Sequence, residues 1–429
     1  MASFSIPLTG LEADSTALNT IANDLSNMNT TAFKAQSTNF SDLFYQQIGS
    51  TGSGDPIQVG AGVKVASNEI SFTQGSINST GNSTDVALNG SGFFVVSNGA
   101  GGYEYSRAGD FSLDSNGALV TSNGLNVMGY PAVNGVVNTN APLTAIDIPV
   151  GQVQEPKATT TLSMTANLDA ETAQGTQFPA QITVYDSLGE PHVATATFEP
   201  TAVANTWSYS VALPPTDFTN GVSTPITGTM SFDPNGNLTS ITPTGAAGPE
   251  TVGTAVGDVQ SIGLNFNNAL GDGANNLNIQ WNLLGAAGTP TISQVDTTSA
   301  VSATTQNGYA SGQYQSFTIG SDGTVTASYS NGQQQNVGQL ALANVANDQG
   351  LSLLGNGDYV TTLASGTAVV GTSGTSGLAS VQDDALEASN VNISTEFSDL
   401  IIAQRAFEAN AKSVTTFDTV TQDTINMVH

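Results

Sequence analysis

The stretch TEFSDLIIAQRAFEANAKSVTTFDTVTQDTINMV, Thr395 to Val428, sets the reading of the whole chain. Ile393, Leu400, Phe407, Val414, Thr421 and Val428 recur every seven residues, and Phe397, Gln404, Ala411, Asp418 and Ile425 follow four after each of the first five. This spacing predicts a long helix with a coiled-coil seam, softened by the polar Gln404, Asp418 and Thr421. At about 1.5 Å per residue such a helix reaches roughly 50 Å. Glu396 and Asp399 suit the positive end of its dipole, and Glu408 to Lys412 is a favourable i, i+4 pair. No segment follows for the seam to pack against, so its partners are expected to be other helices.

The opposite end carries a matching stripe: Leu11, Leu18 and Leu25 at seven-residue steps, with Ile21 and Met28 three after the last two. Asp14 interrupts it, Pro7 fits near a helix start, and NDLSNMNTTAFK, Asn23 to Lys34, supplies stop and turn residues. Residues 1–30 and 390–429 are therefore expected to form terminal helices that pair as a coiled coil, within one subunit or between subunits.

Between the ends the texture changes. FSLDSNGALV, SFDPNGNLTSI and FTIGSDGTVTASYSNGQQQ alternate apolar and polar residues around tight turns in which Gly or Asn takes the positive φ. No helical period of useful length runs from about residue 70 to 380. The fold class is mainly β with α-helical termini, and the β body is expected to form sandwiches or barrels.

Composition narrows the function. The 429 residues allow roughly three domains. Only 9% are charged, so Ser, Thr, Asn and Gln must solvate most of the surface. The 34 acidic residues face only six Lys and Arg, for a net charge of −28, and no Lys or Arg stands between Lys157 and Arg405. Without a basic cluster, nucleic acid and anionic membrane are unsuitable partners. Solubility through self-repulsion is the simplest role for the acidic excess. There is no Cys, hence no disulfide or thiolate metal site. The first cation is Lys34 and no apolar run approaches a spanning length, so neither a cleaved signal peptide nor membrane insertion is expected.

Catalytic chemistry finds little support. The two histidines are His192 and His429, too few for a His-based metal or Ser-His-Asp site, and phosphate-cradling glycine motifs are missing. DPNGNL at Asp233 falls short of a calcium loop, and the adjacent Asp383 and Asp384 suit a solvated loop better than a glycosidase pair. No catalytic residue, cofactor or metal ligand is assigned.

The segment GAGVKVASNEISFTQGSINSTGNSTDVALNGSGFFVVSNGAGGYEYSRAGDFSLDSNGALVTSNGLNVMGYP, Gly60 to Pro131, closely resembles the shared segment of the bacterial flagellar rod and hook family. NDLSNMNTTAFK is similar to that family's N-terminal motif, and ALEASNVNISTEFSDLIIAQRAFEANAKSV to its C-terminal one. The middle segments TTTLSMTANLD and ITVYDSLGEPHVATATFE resemble the insertion of the hook branch rather than the straight distal rod, which remains the alternative. One departure is Ala32, where the family commonly has the Gly of a positive-φ turn.

The resemblance implies a helical homopolymer enclosing an export channel, curved and flexible as a universal joint that passes torque from motor to filament. It further implies terminal helices innermost, an extended linker at 31–70, an inner β domain from 71–146 and 301–380, and an outer β domain inserted at 147–300. Assembly would run along the seam of Leu11, Leu18, Ile21, Leu25, Met28, Ile393, Phe397, Leu400, Phe407, Ala411, Val414, Ile425 and Val428. Implied partners are further copies of the chain, the hook cap protein, the distal rod protein, the hook–filament junction protein and the export apparatus. The implied location is the extracellular flagellum. A secreted β-sandwich adhesin would leave both terminal seams unexplained, and an enzyme would need a convergent polar site.

Overall fold

The computed structural model describes residues 5–427 except 51, 53, 100, 247, 256, 268, 269 and 376. Among them are two α-helices, one near each end: α1, Ser5–Ser26, and α2, Ile393–Met427. Pro7 lies in the first turn of α1, where its missing N–H leaves no helical bond unmade. The helix closes through Asn27, whose N–H reaches the carbonyls of Asn23 and Asp24. Asn392 caps α2, its Oδ1 accepting the N–H groups of Ser394 at 3.0 Å and Thr395 at 3.3 Å.

One compact unit comprises residues up to 150, 316–328 and from 334 onward. Residues 31–70 were expected to be an extended linker, but they contain four strands. These are β1, Gln36–Asp42; β2, Gln46–Ser50; β3, Pro56–Val59; and β4, Val63–Ile70. β1 pairs antiparallel with β4 through a bulge at Asn39/Phe40, and β2 pairs with β3. The reason is local: α1 offers side chains along one flank, and the chain pairs against it. Thr38 Oγ1 meets Thr20 Oγ1 at 3.1 Å, Gln36 N–H donates to Asp24 Oδ2 at 2.7 Å, and Val63 N–H donates to Thr9 Oγ1 at 3.3 Å.

The β body of this unit interleaves two distant parts of the chain. Tyr130 faces Gln339, Phe94 faces Leu342, Tyr105 faces Tyr359, and Leu88 faces Val381 in antiparallel register. Phe93, Val95, Tyr105, Ala341 and Tyr359 form its buried core, with Phe72 edge-on to Phe93 at 5.8 Å.

The second unit comprises 151–315 and 329–333. One sheet is an antiparallel meander running through Phe178–Tyr185, Pro191–Pro200, Thr206–Ala212, Ile226–Phe232, Leu238–Pro243 and Glu250–Thr251. The other centres on Thr161–Asp169, which pairs antiparallel with Ala300–Gln306 and parallel with both Leu277–Asn282 and Ile292–Val295. Strict alternation explains the packing: Trp207, Tyr209 and Val211 of TWSYSVA are buried while their neighbours are not. Both sheets contribute to one core in which Trp281 lies edge-on to Tyr209 at 5.9 Å and to Phe198 at 6.2 Å.

Candidate assembly surface

The terminal helices run antiparallel. Asn410 Nδ2 donates to Asp14 Oδ2 at 2.8 Å, and Asp24, near the far end of α1, lies close enough to Glu396, near the start of α2, to perturb it. The approach at Asn410 is close: a Cβ on Gly10 would come within 2.6 Å of Asn410 Nδ2, so a larger residue there would displace the amide from Asp14. The buried residues of the pair are small or polar: Pro7, Gly10, Ala13, Thr20 and Asp24 on α1, and Ala403 on α2.

The seam residues take different places. Leu11, Leu18, Ile21, Leu25, Leu400, Ala411 and Val414 are half-buried. Met28, beyond the end of α1, is exposed, as are Ile393, Phe397, Phe407 and Ile425. Val428 lies outside the described residues. The helices therefore meet along small side chains, and the large apolar ones stay at least partly open. Ile401 and Ile402, outside the heptad positions, are also exposed, with Ile402 at 65% and Phe397 at 48%.

Burial pushes the Glu396 carboxyl above its usual range, and Asp24 and Asp399 push the same way. Glu408 pairs with Arg405 at 3.1 Å rather than with Lys412, and both side chains are largely exposed.

Behind the helices lies a buried charge junction. Glu387 holds Lys34 Nζ at 2.6 Å and Arg107 at 3.0 Å, and all three side chains are almost completely buried. Further hydrogen bonds hold the group: Lys34 donates to Thr73 O, Arg107 Nη1 to Gly90 O and Gly92 O, and Gly75 N–H to Glu387 Oε1. Burial lowers the Lys34 pKa while Glu387 holds it up. Asn390 adds a second clasp, accepting from Ala35 N–H and donating to Ser71 O and Thr73 O. Ala32 N–H donates to Glu387 O, and Ala32 keeps a positive φ of 55° although it is not glycine. The turn is thus retained at the strain of one left-handed alanine, roughly 1–2 kcal/mol.

Lys34, Arg107 and Glu387 had no assigned role in the sequence, yet they stand inside three separate motifs, TTAFK, YSRAGDF and ALEASN. Five of the six Lys and Arg fall in the segments that resemble the family, so the cations alone did not single out Lys34 and Arg107. The junction ties the root of α1, the β body and the root of α2 to one carboxylate.

Comparison with known proteins gives the same picture. Residues 156–309 match the "Flagellar basal body protein FlaE D2 domain" family, 87–167 the "Flagellar hook protein FlgE/F/G D1 domain", and 382–427 the "Flagellar basal body rod FlgEFG protein C-terminal". The chain is 34% identical to the flagellar hook protein FlgE of Treponema pallidum, over 98% of each chain. It is equally 34% identical to FlgE of Escherichia coli K12, over 99% of each. The crystal structure of Helicobacter pylori flagellar hook protein FlgE2 shares the fold, with a TM-score of 0.54 over 72% of this chain and all of that one, at 14% identity. With near full-length identity to hook proteins of several bacteria and the D1, D2 and C-terminal domains in order, the chain belongs to the flagellar hook protein FlgE family.

Proposed function

We propose that this chain is the subunit of a curved, flexible hook, polymerising through its terminal helices into a tube around an export channel. The observation that carries the reading is the unfinished packing of α2. α1 leaves Ile393, Phe397 and Ile401 open at steps of four residues, and the helix runs on to Ile425 and Met427, both exposed. At about 25 cal/mol per Å² of apolar surface removed from water, closing such a face supplies a large driving force only when other chains cover it. The low-charge β surfaces suit a joint whose contacts slide, since buried ion pairs at sliding interfaces are costly to break. Hook rather than straight rod is supported by residues 156–309 matching a D2 domain. On this reading the partners at the tube's ends are the cap, distal rod and hook–filament junction proteins, the export apparatus delivers the chain, and the subunit has no enzymatic activity.

Electron microscopy of purified chain as salt is raised tests the proposal, comparing the full chain with one lacking 1–30 and 390–429. Curved tubes from the full chain alone are expected, appearing more readily as salt screens the net charge of −28. Tubes from the truncated chain would refute the role of the helices, and straight tubes would favour the rod.

A further inference from the structure

We propose that Asp186, His192 and Asp272, in the unit containing residues 151–315, bind a divalent transition-metal ion of the zinc type, with Asp217 orienting the imidazole from its far side. One ligand atom from each of Asp186, His192 and Asp272 lies within 4.8 Å of the others. His192 Nε2 stands 3.3 Å from Asp186 Oδ2, and His192 Nδ1 stands 2.8 Å from Asp217 Oδ2. The His192 side chain is 7% exposed and that of Asp186 is fully buried. For metal–ligand bonds of about 2.0–2.2 Å, tetrahedral ligands stand roughly 3.3–3.6 Å apart, so the His192–Asp186 edge already has the required length.

The hydrogen bonding selects the ligand atoms. Asp186 Oδ1 accepts the N–H groups of Leu188 at 2.8 Å and Glu190 at 2.9 Å, which leaves Oδ2 facing the imidazole. For a neutral imidazole with its one proton on Nδ1 directed at Asp217, the Nε2 lone pair faces that oxygen, and two acceptors oppose each other with no hydrogen between them. A carboxylate on the far nitrogen is the arrangement that fixes the tautomer of a metal-binding histidine. A protonated imidazole could fill the gap, but it would balance only one of three carboxylates. The unit's own sequence offers a single Lys or Arg, the exposed Lys157, and among the described residues no Lys or Arg forms an ion pair with this group. A divalent cation balances the remaining charge.

The ligands are also held in place from three loops. Gly271 N–H donates to Asp217 O at 2.9 Å, and Asn275 N–H donates to Ser187 Oγ at 3.0 Å, which joins the loops carrying Asp217, Asp272 and Asp186. Asp272 is exposed, so water can complete the coordination. An imidazole with carboxylates suits zinc better than calcium or magnesium, which favour all-oxygen shells. The ion would act as a staple at one end of this unit.

The test uses the full chain as dilute monomer, stripped with chelator and titrated with Zn²⁺ by calorimetry and with Co²⁺ by visible absorption. One equivalent is expected to bind with a nitrogen-ligand Co²⁺ spectrum, and Asp272→Asn to weaken that binding at least tenfold. Asp217→Asn is expected to weaken it 10–100-fold through loss of the orienting carboxylate, and His192→Gln to remove the Co²⁺ spectrum. Asp272 is exposed, so its variant reports on binding even if the His192 variant fails to fold. Absence of a stoichiometric site, or one unchanged by Asp272→Asn and Asp217→Asn, would overturn the proposal.

Discussion

The inserted β unit and the terminal helices handle their apolar residues in opposite ways. In the unit of 151–315 the large side chains close on themselves, with Trp281, Tyr209, Phe198 and Met230 all less than 2% exposed. In α2 a single residue, Ala403, is buried, while Phe397, Phe407 and Ile425 remain open. The first region carries its stability within one chain; the second carries surface whose burial is deferred to assembly. Substitutions should therefore separate into those that melt the chain and those that stop it polymerising.

The largest effect expected is in the closed core. Trp281→Ala removes the ring on which Tyr209 and Phe198 pack edge-on, and should lower the stability of that unit by about 4–5 kcal/mol in chemical denaturation. If the same substitution left melting intact and abolished tubes, the division between the two regions would fail. Next is the charge junction. Glu387→Gln leaves Lys34 and Arg107 buried without a counter-charge and should cost about 3 kcal/mol, read as loss of the helix-bearing unit in thermal melting.

A smaller effect concerns Asp24, whose carboxyl is pushed up to about 6 by burial, against the hydrogen bond from Gln36. Its pKa is higher folded than unfolded, so the folded state binds the proton more tightly. The associated stability is present below about pH 4 and lost as pH rises through about 6. The stability of the helix-bearing unit in chemical denaturation should fall across that window, and Asp24→Asn should flatten the dependence and stabilise the helix root at pH 7 by about 1–2 kcal/mol. The smallest effect is Ala32→Gly, which relieves a left-handed alanine and should raise stability by about 0.5 kcal/mol once the extra freedom of glycine in the unfolded chain is counted.

Much of this was legible in the sequence because periodicity is local. Seven-residue spacing from Ile393 onward marked α2, and alternation around the turn of SFDPNGNLTSI marked the strands Ile226–Phe232 and Leu238–Pro243. The helix contact was less accessible: apolar spacing drew attention to Leu11, Leu18 and Leu25, whereas Gly10 and Asp14 make the close contacts with Asn410. Small residues at a close approach leave no hydrophobic signal. The strands within 31–70 were hidden for a related reason, since NFSDLFYQQIG has no clean alternation and its pairing depends on polar contacts with Thr9, Thr20 and Asp24. The Lys34–Glu387 pair joins residues 353 positions apart, and the His192 group draws on Asp186, Asp217 and Asp272 from separate loops. No local pattern encodes such meetings.

The open face of α2 is expected to be closed by other copies of the chain. Amide hydrogen exchange across 393–427, measured on the same full chain as dilute monomer and as assembled tubes, reads that closure residue by residue. Exchange in the monomer should be fastest toward Met427, where the described residues are all exposed, and should slow by several orders of magnitude in tubes. Equal protection of these amides in monomer and tube would contradict the account.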